Sequence, residues 1–139
     1  IKLEFPENLS KVHFIKMTLT EDGKVVSDNF YHRSLEENNY QDLCQLAKVA
    51  LQSATTVDKN ADGTWSAVSV IENKTSTPAL MIRLNVVDGK DDQQILPVFY
   101  SDNYFSLLPG EKKEVRMSWR DEDTRGNEGK VLITGYNVE

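Results

Sequence analysis

The feature that most constrains this chain is apolar alternation with a period of two. In Ala79–Val87, Leu80, Ile82, Leu84 and Val86 fall on one face of an extended chain. In Lys113–Trp119, Val115, Met117 and Trp119 alternate with Glu114, Arg116 and Ser118. In His13–Thr20, Ile15, Met17 and Leu19 alternate with Lys16, Thr18 and Thr20. Successive side chains of a strand point to opposite faces, so this pattern predicts half-buried strands.

The rest of the chain fits the same reading. Glu21-Asp22-Gly23-Lys24 predicts a hairpin turn that returns as Val25–His32. Leu35–Leu46 predicts a connection with a short helical turn at Tyr40–Leu46. Lys48–Val57 predicts a strand with Val49 and Leu51 inward, with a helix over its first half as the alternative, followed by a turn at Asp58–Gly63. Thr64–Asn73 predicts a strand whose apolar phase changes between Ala67 and Val68, as at a bulge or a twist. Beyond Ala79–Val87 come a short apolar stretch Ile95–Tyr100 with Pro97, the segment Tyr104–Leu108, and the strand ending at Trp119. A charged loop Asp121–Glu128 and a last strand Lys130–Val138 complete the chain. Eight or nine short strands with turn signals every 8–12 residues predict an all-β, two-sheet immunoglobulin-like sandwich of fibronectin-like type.

At 139 residues the chain has the length of one domain, residues 1–139. Its net charge of −6 and scattered basic residues, with Lys112-Lys113 the only adjacent pair, argue against a nucleic-acid partner. No apolar run reaches the roughly 18 residues of a membrane-spanning helix. The single cysteine, Cys44, allows no internal disulfide. The start at Ile1 without a methionine is expected of a processed chain or of a piece excised from a longer one.

The chemistry-bearing residues do not assemble into a catalytic motif. Asp58-x-Asn60-x-Asp62-Gly63 matches the first half of a calcium loop, but the closing twelfth position is Ser69, and a polar hairpin turn uses the same residues. His13 and His32 fall on adjacent strands and could face each other, without a third ligand at a suitable spacing. Cys44 lacks an activating base and is read as a buried structural thiol. Asp91-Asp92 and Asp121-Glu122-Asp123 lie in solvated loops, unlike the paired carboxylates of a glycosidase. Neither a catalytic residue nor a metal or other cofactor is implied. Asn8 and Asn73 open Asn-x-Ser/Thr sequons. The segment Phe99–Phe105 places Tyr100, Asp102, Asn103 and Tyr104 together. Aromatic rings beside amide and carboxylate groups suit a sugar, and suit equally a core strand or an interface with a neighbouring domain.

The run Leu96-Pro97-Val98-Phe99-Tyr100-Ser101-Asp102-Asn103-Tyr104-Phe105-Ser106-Leu107-Leu108-Pro109-Gly110-Glu111 resembles the C-terminal immunoglobulin-like domain of glycoside hydrolase family 2 enzymes. The nearest branch is that of exo-β-glucosaminidases and β-mannosidase-like enzymes. Asp22–Tyr31 and Asn73–Leu84 are similar to two further segments of that domain, so the resemblance runs from about Phe14 to about Tyr136. It implies a non-catalytic accessory domain whose parent is a retaining exo-glycosidase with both catalytic glutamates on a separate (β/α)₈ barrel. The implied partners are other domains of the same polypeptide and, in a second reading, an oligosaccharide; the implied location is periplasmic or extracellular. A carbohydrate-binding module and a protein-binding adhesion-type sandwich stand as alternatives.

Overall fold

The computed structural model describes residues 4–139, which form two compact units, one running to Leu46 and one spanning Ala47–Glu139. In the first, strands β1 (Val12–Glu21) and β2 (Lys24–Ser34) pair antiparallel from Val12↔Ser34 to Glu21↔Lys24. The predicted turn is present. Asp22 (φ 48°) and Gly23 (φ 76°) both take positive φ, the geometry of a type I′ turn, whose twist matches that of the strands it joins.

One face of this ribbon is locally consolidated. Phe14 and Phe30 stack with centroids 5.3 Å apart, Lys16 pairs with Asp28 at 3.5 Å, and His32 meets Tyr40 edge-on at 5.2 Å. The other face carries Ile15, Met17 and Leu19, expected from their alternation to be buried. Met17 and Leu19 are instead 47% and 63% exposed, because a two-stranded ribbon supplies no second layer of its own. His13 lies opposite Arg33 while His32 lies opposite Phe14, so the two imidazoles point to opposite faces and do not meet. Cys44, expected to be buried, is exposed in the 3-10 turn Gln41–Gln45, a turn too short to hide it.

The second unit is the sandwich. Its strands are β3 (Gln52–Lys59), β4 (Thr64–Glu72), β5 (Ala79–Asp88), β6 (Phe99–Tyr100), β7 (Phe105–Leu107), β8 (Lys112–Arg120) and β9 (Gly129–Thr134). They form a four-stranded sheet β3-β4-β8-β6 and a three-stranded sheet β7-β5-β9. The inward rows meet in one core: Ala67 and Ile71 from β4, Ile82, Leu84 and Val86 from β5, and Val115, Met117 and Trp119 from β8. The alternation in β5 and β8 therefore buries the side chains it was expected to bury.

Several boundaries differ from the sequence reading, and the last strand, expected over Lys130–Val138, ends at Thr134. Strand β3 begins at Gln52, and Val49 is held by an isolated parallel bridge to Val138, beyond the end of β9. The stretch Ile95–Tyr100 is a strand only at Phe99–Tyr100. The bulge expected at Ala67/Val68 is absent, for β4 keeps uninterrupted register with both β3 and β8. The inward row there is Ala67, Ser69 and Ile71. Ser69 is fully buried but satisfied by the Thr55 hydroxyl at 2.8 Å, while Val68 and Val70 belong to the opposite face.

Two buried asparagines tie loops into this frame. The Asn73 amide donates to the carbonyls of Thr77 (2.8 Å) and Leu107 (3.0 Å) and accepts from the Thr75 N–H (3.1 Å) and hydroxyl (2.8 Å). Its sequon is thus built into the interior, whereas Asn8 of the other sequon is exposed. Asn137 accepts from the Leu80 N–H at 2.9 Å and donates to the carbonyls of Ala47 (3.0 Å) and Pro78 (2.9 Å).

Candidate functional site

The segment singled out in the sequence is the point where the chain leaves one sheet for the other. β6 belongs to the four-stranded sheet and β7 to the three-stranded one, so Ser101–Tyr104 is a crossing corner. Ser101 anchors it to β8: its N–H donates to the Arg116 carbonyl (2.8 Å) and its hydroxyl accepts from the Arg116 N–H (2.9 Å). Asp102 forms an ion pair with Lys113 and accepts from the Asn103 N–H at 2.7 Å.

Asn103 stands in for a strand residue with its side chain. Its Oδ1 accepts from the Leu84 N–H (2.9 Å) and its Nδ2 donates to the Leu84 carbonyl (3.0 Å), on the edge of β5 away from β9. Tyr100 extends the same edge, its phenolic oxygen accepting from the Val86 N–H at 3.2 Å. Burial pushes the Tyr100 phenol up from its ordinary pKa. Tyr104 differs from these three. It sits in the left-handed region (φ 57°), its ring is 56% exposed, and the Arg83 guanidinium lies 5.9 Å from the ring centroid.

The structure thus brings Tyr100, Asp102, Asn103 and Tyr104 to one corner but divides their roles. Tyr100, Asp102 and Asn103 are engaged in holding the two sheets, and Tyr104 is presented outward. Replacing Asn103 by alanine is expected to unpair a peptide group of the half-buried β5 edge and to destabilise the fold by about 1–3 kcal/mol. Replacing Tyr104 by alanine is expected to change stability by less than about 0.5 kcal/mol. Paired thermal melts check both, and equal effects would contradict the division.

The turn between β3 and β4 uses its polar atoms internally. Asp62 Oδ1 accepts from the Thr64 N–H (3.0 Å) and hydroxyl (2.6 Å), which holds the carboxyl below its ordinary pKa. The Asn60 amide donates to the Thr64 hydroxyl at 3.0 Å. This is the hairpin-turn reading of Asp58-x-Asn60-x-Asp62-Gly63, and among the described residues no group of three His, Cys, Asp or Glu side chains converges.

Beside that turn opens a cleft of about 530 Å³ lined by Asp62, Gly63, Thr64, Arg120, Asp121 and Glu122. Asp121 accepts from Lys59 Nζ (2.8 Å) and from Trp65 Nε1 (2.7 Å), and both hold its carboxyl below the usual range. Glu122 pairs with Arg120 at 2.8 Å. A general acid needs its carboxyl shifted upward; Asp62 and Asp121 are shifted the other way.

Asp88, at the end of β5, is also depressed, by the Lys90 N–H first and the Asn127 amide second. Its stabilisation is therefore present above the unfolded carboxylate value of about 4 and is lost as the pH falls through the lower folded value. The Asp88→Asn variant is expected to lose less melting temperature than the parent between about pH 6 and about pH 3. Identical acid slopes for the two would remove Asp88 from the acid response.

The comparisons with known proteins cover nearly the whole chain. A family model described as the exo-beta-D-glucosaminidase Ig-fold domain matches residues 29–138. An exo-beta-D-glucosaminidase of Arthroderma benhamiae is 31% identical over 144 residues, covering 92% of this chain and 16% of that protein. One of Hypocrea jecorina is 31% identical over 153 residues, covering 94% and 17%. The crystal structure of Amycolatopsis orientalis exo-chitosanase superposes with a TM-score of 0.90 at 27% identity, over 99% of this chain and 19% of that one. The chain spans about a sixth of the length of the curated relatives it matches. With its sandwich fold and a family match over most of its length, the chain belongs to the exo-β-D-glucosaminidase Ig-fold domain family.

Proposed function

We propose that this chain is the non-catalytic, C-terminal immunoglobulin-like domain of a family 2 glycoside hydrolase, a retaining exo-β-glucosaminidase. It packs against the catalytic (β/α)₈ barrel and the other sandwich domains of the same polypeptide, in the periplasm or outside the cell. The observation that carries this reading is the match to the Ig-fold domain of exo-β-D-glucosaminidases, in relatives of which the aligned region is only 16–17%. Two carboxylates of the cleft support it, since Asp121 and Glu122 are tied to neighbouring cations and donors.

The reading predicts that the 139-residue chain alone does not hydrolyse an aryl β-D-glucosaminide, while the full natural polypeptide does. Turnover by the purified chain, or a natural polypeptide without glycosidase activity, would overturn it. A second reading, oligosaccharide binding, is favoured by the exposed Tyr104 ring at the corner. It predicts a fluorescence titration with glucosamine oligomers that the Tyr104→Ala variant loses.

A further inference from the structure

The two sheets of the sandwich differ in what they show on their outer faces. The outward rows of the four-stranded sheet mix charges of both signs, Asp58, Glu72, Lys112, Glu114, Arg116 and Arg120, with the half-buried Val68 and Val70 and with Phe99, 70% exposed at the β6 edge. The outer face of the three-stranded sheet is of another kind. A register irregularity between Ala79 and Ile82 puts Met81 in the left-handed region (φ 53°) and turns its side chain out, 53% exposed. Arg83 and Asn85 come next on β5, opposite Thr134 and Leu132 of β9. Leu132 is 37% exposed, and Tyr104 covers Arg83 from the corner. Tyr136, just past β9, is 49% exposed, its N–H bound to the Leu80 carbonyl.

The charge on this face selects the kind of partner. The outward positions 81, 83 and 85 of β5, 106 of β7 and 132 and 134 of β9 include no carboxylate, although the chain as a whole carries a net charge of −6. A cationic amino-sugar chain would meet Arg83 and, toward the start of β9, Lys130, whose nearest carboxylate, Asp92, is already paired with it. Methionine and tyrosine around one arginine are instead residue types enriched where protein surfaces bury each other.

The geometry points to the Met81–Tyr104–Leu132 face as the surface that docks on a second folded domain of the same polypeptide. This rests on the function proposed above, and it names the face where that reading names only the role. The charge pattern supports this occupant, and so does the size of the relatives, in which four-fifths or more of the chain lies outside the matched region.

Methionine oxidation tests this on the full natural polypeptide. Met81 and the core residue Met117, 3% exposed, serve as probe and buried reference. With hydrogen peroxide and peptide mapping, Met81 is expected to oxidise about tenfold more slowly in the native polypeptide than in urea, as Met117 does. A native Met81 rate within about twofold of the unfolded rate overturns the proposal. So does protection that disappears on dilution, which would assign the face to a second copy. Protection that appears only on adding glucosamine oligomers also overturns it, in favour of a glycan. A catalytic polypeptide with a reactive Met81 sinks this proposal alone, whereas a polypeptide without a second domain sinks it together with the proposed function.

Discussion

Alanine at position 137 is expected to lower the stability of the sandwich by on the order of 3–5 kcal/mol, since each unsatisfied buried polar group costs about 1–3. Asn137 is 2% exposed, and its amide bonds three backbone groups, of Leu80, Ala47 and Pro78. These lie 57, 90 and 59 residues away in sequence, so one side chain joins the start of β5 to the segment leading into β3 and to the last residues described. The methyl of alanine satisfies none of them, and the site is too closed for solvent to replace the amide. Denaturant unfolding checks the figure; a loss below about 1 kcal/mol would mean the three groups find other partners. Aspartate at the same position separates the contributions. It keeps the acceptor for the Leu80 N–H but sets a carboxylate against two carbonyl oxygens, so it is expected to be as damaging at neutral pH and less so in acid.

Truncating Trp119 to alanine is expected to cost about 3–5 kcal/mol, the range for emptying a buried aromatic site. Trp119 is 2% exposed and lies parallel to Trp65, the rings 6.4 Å apart and 3° from coplanar. Across from it is Gly129, where an added Cβ would come within 2.9 Å of Trp119 Cζ2, so the backbone of β9 is fitted to the indole. The indole N–H, however, is buried without a partner. Phenylalanine loses volume but also removes that unpaired donor. The Trp119→Phe variant is therefore expected to keep well over half of what the alanine variant loses. Equal losses in the two variants would show that the fused ring's volume, not the aromatic filling, is what counts.

The sandwich was legible where one face of a strand is apolar and the other polar, as in β5 and β8. Alternation failed in both directions elsewhere. Ser69 is a polar residue on an inward row, satisfied by Thr55, and its presence imitates a phase change. Met17 and Leu19 form an apolar row that the ribbon itself does not cover. Period alone reports which residues share a face, not whether a second layer lies across it.

The candidate corner was legible as a cluster of residue types, and its division of labour was not. Asn103 is defined by its bonds to Leu84, nineteen residues earlier, and nothing local to Ser101–Tyr104 announces that partner. Asn137 was passed over for the same reason at longer range. An asparagine in a loop reads as a turn former until the backbone groups it satisfies are known.

Along β5, the strand β7 pairs only at Ala79 and Ile82, and the corner region supplies the partners beyond them: Asn103 for Leu84, then Tyr100 and the Ile95 N–H (3.1 Å) for Val86. Without these, the middle of an apolar strand would present open donors and acceptors to any extended segment that reached it. The corner thus acts as a gatekeeper against intermolecular strand addition, protecting the chain while it is newly made and concentrated. Loss of the Asn103 amide should be felt first as a tendency to self-associate on refolding.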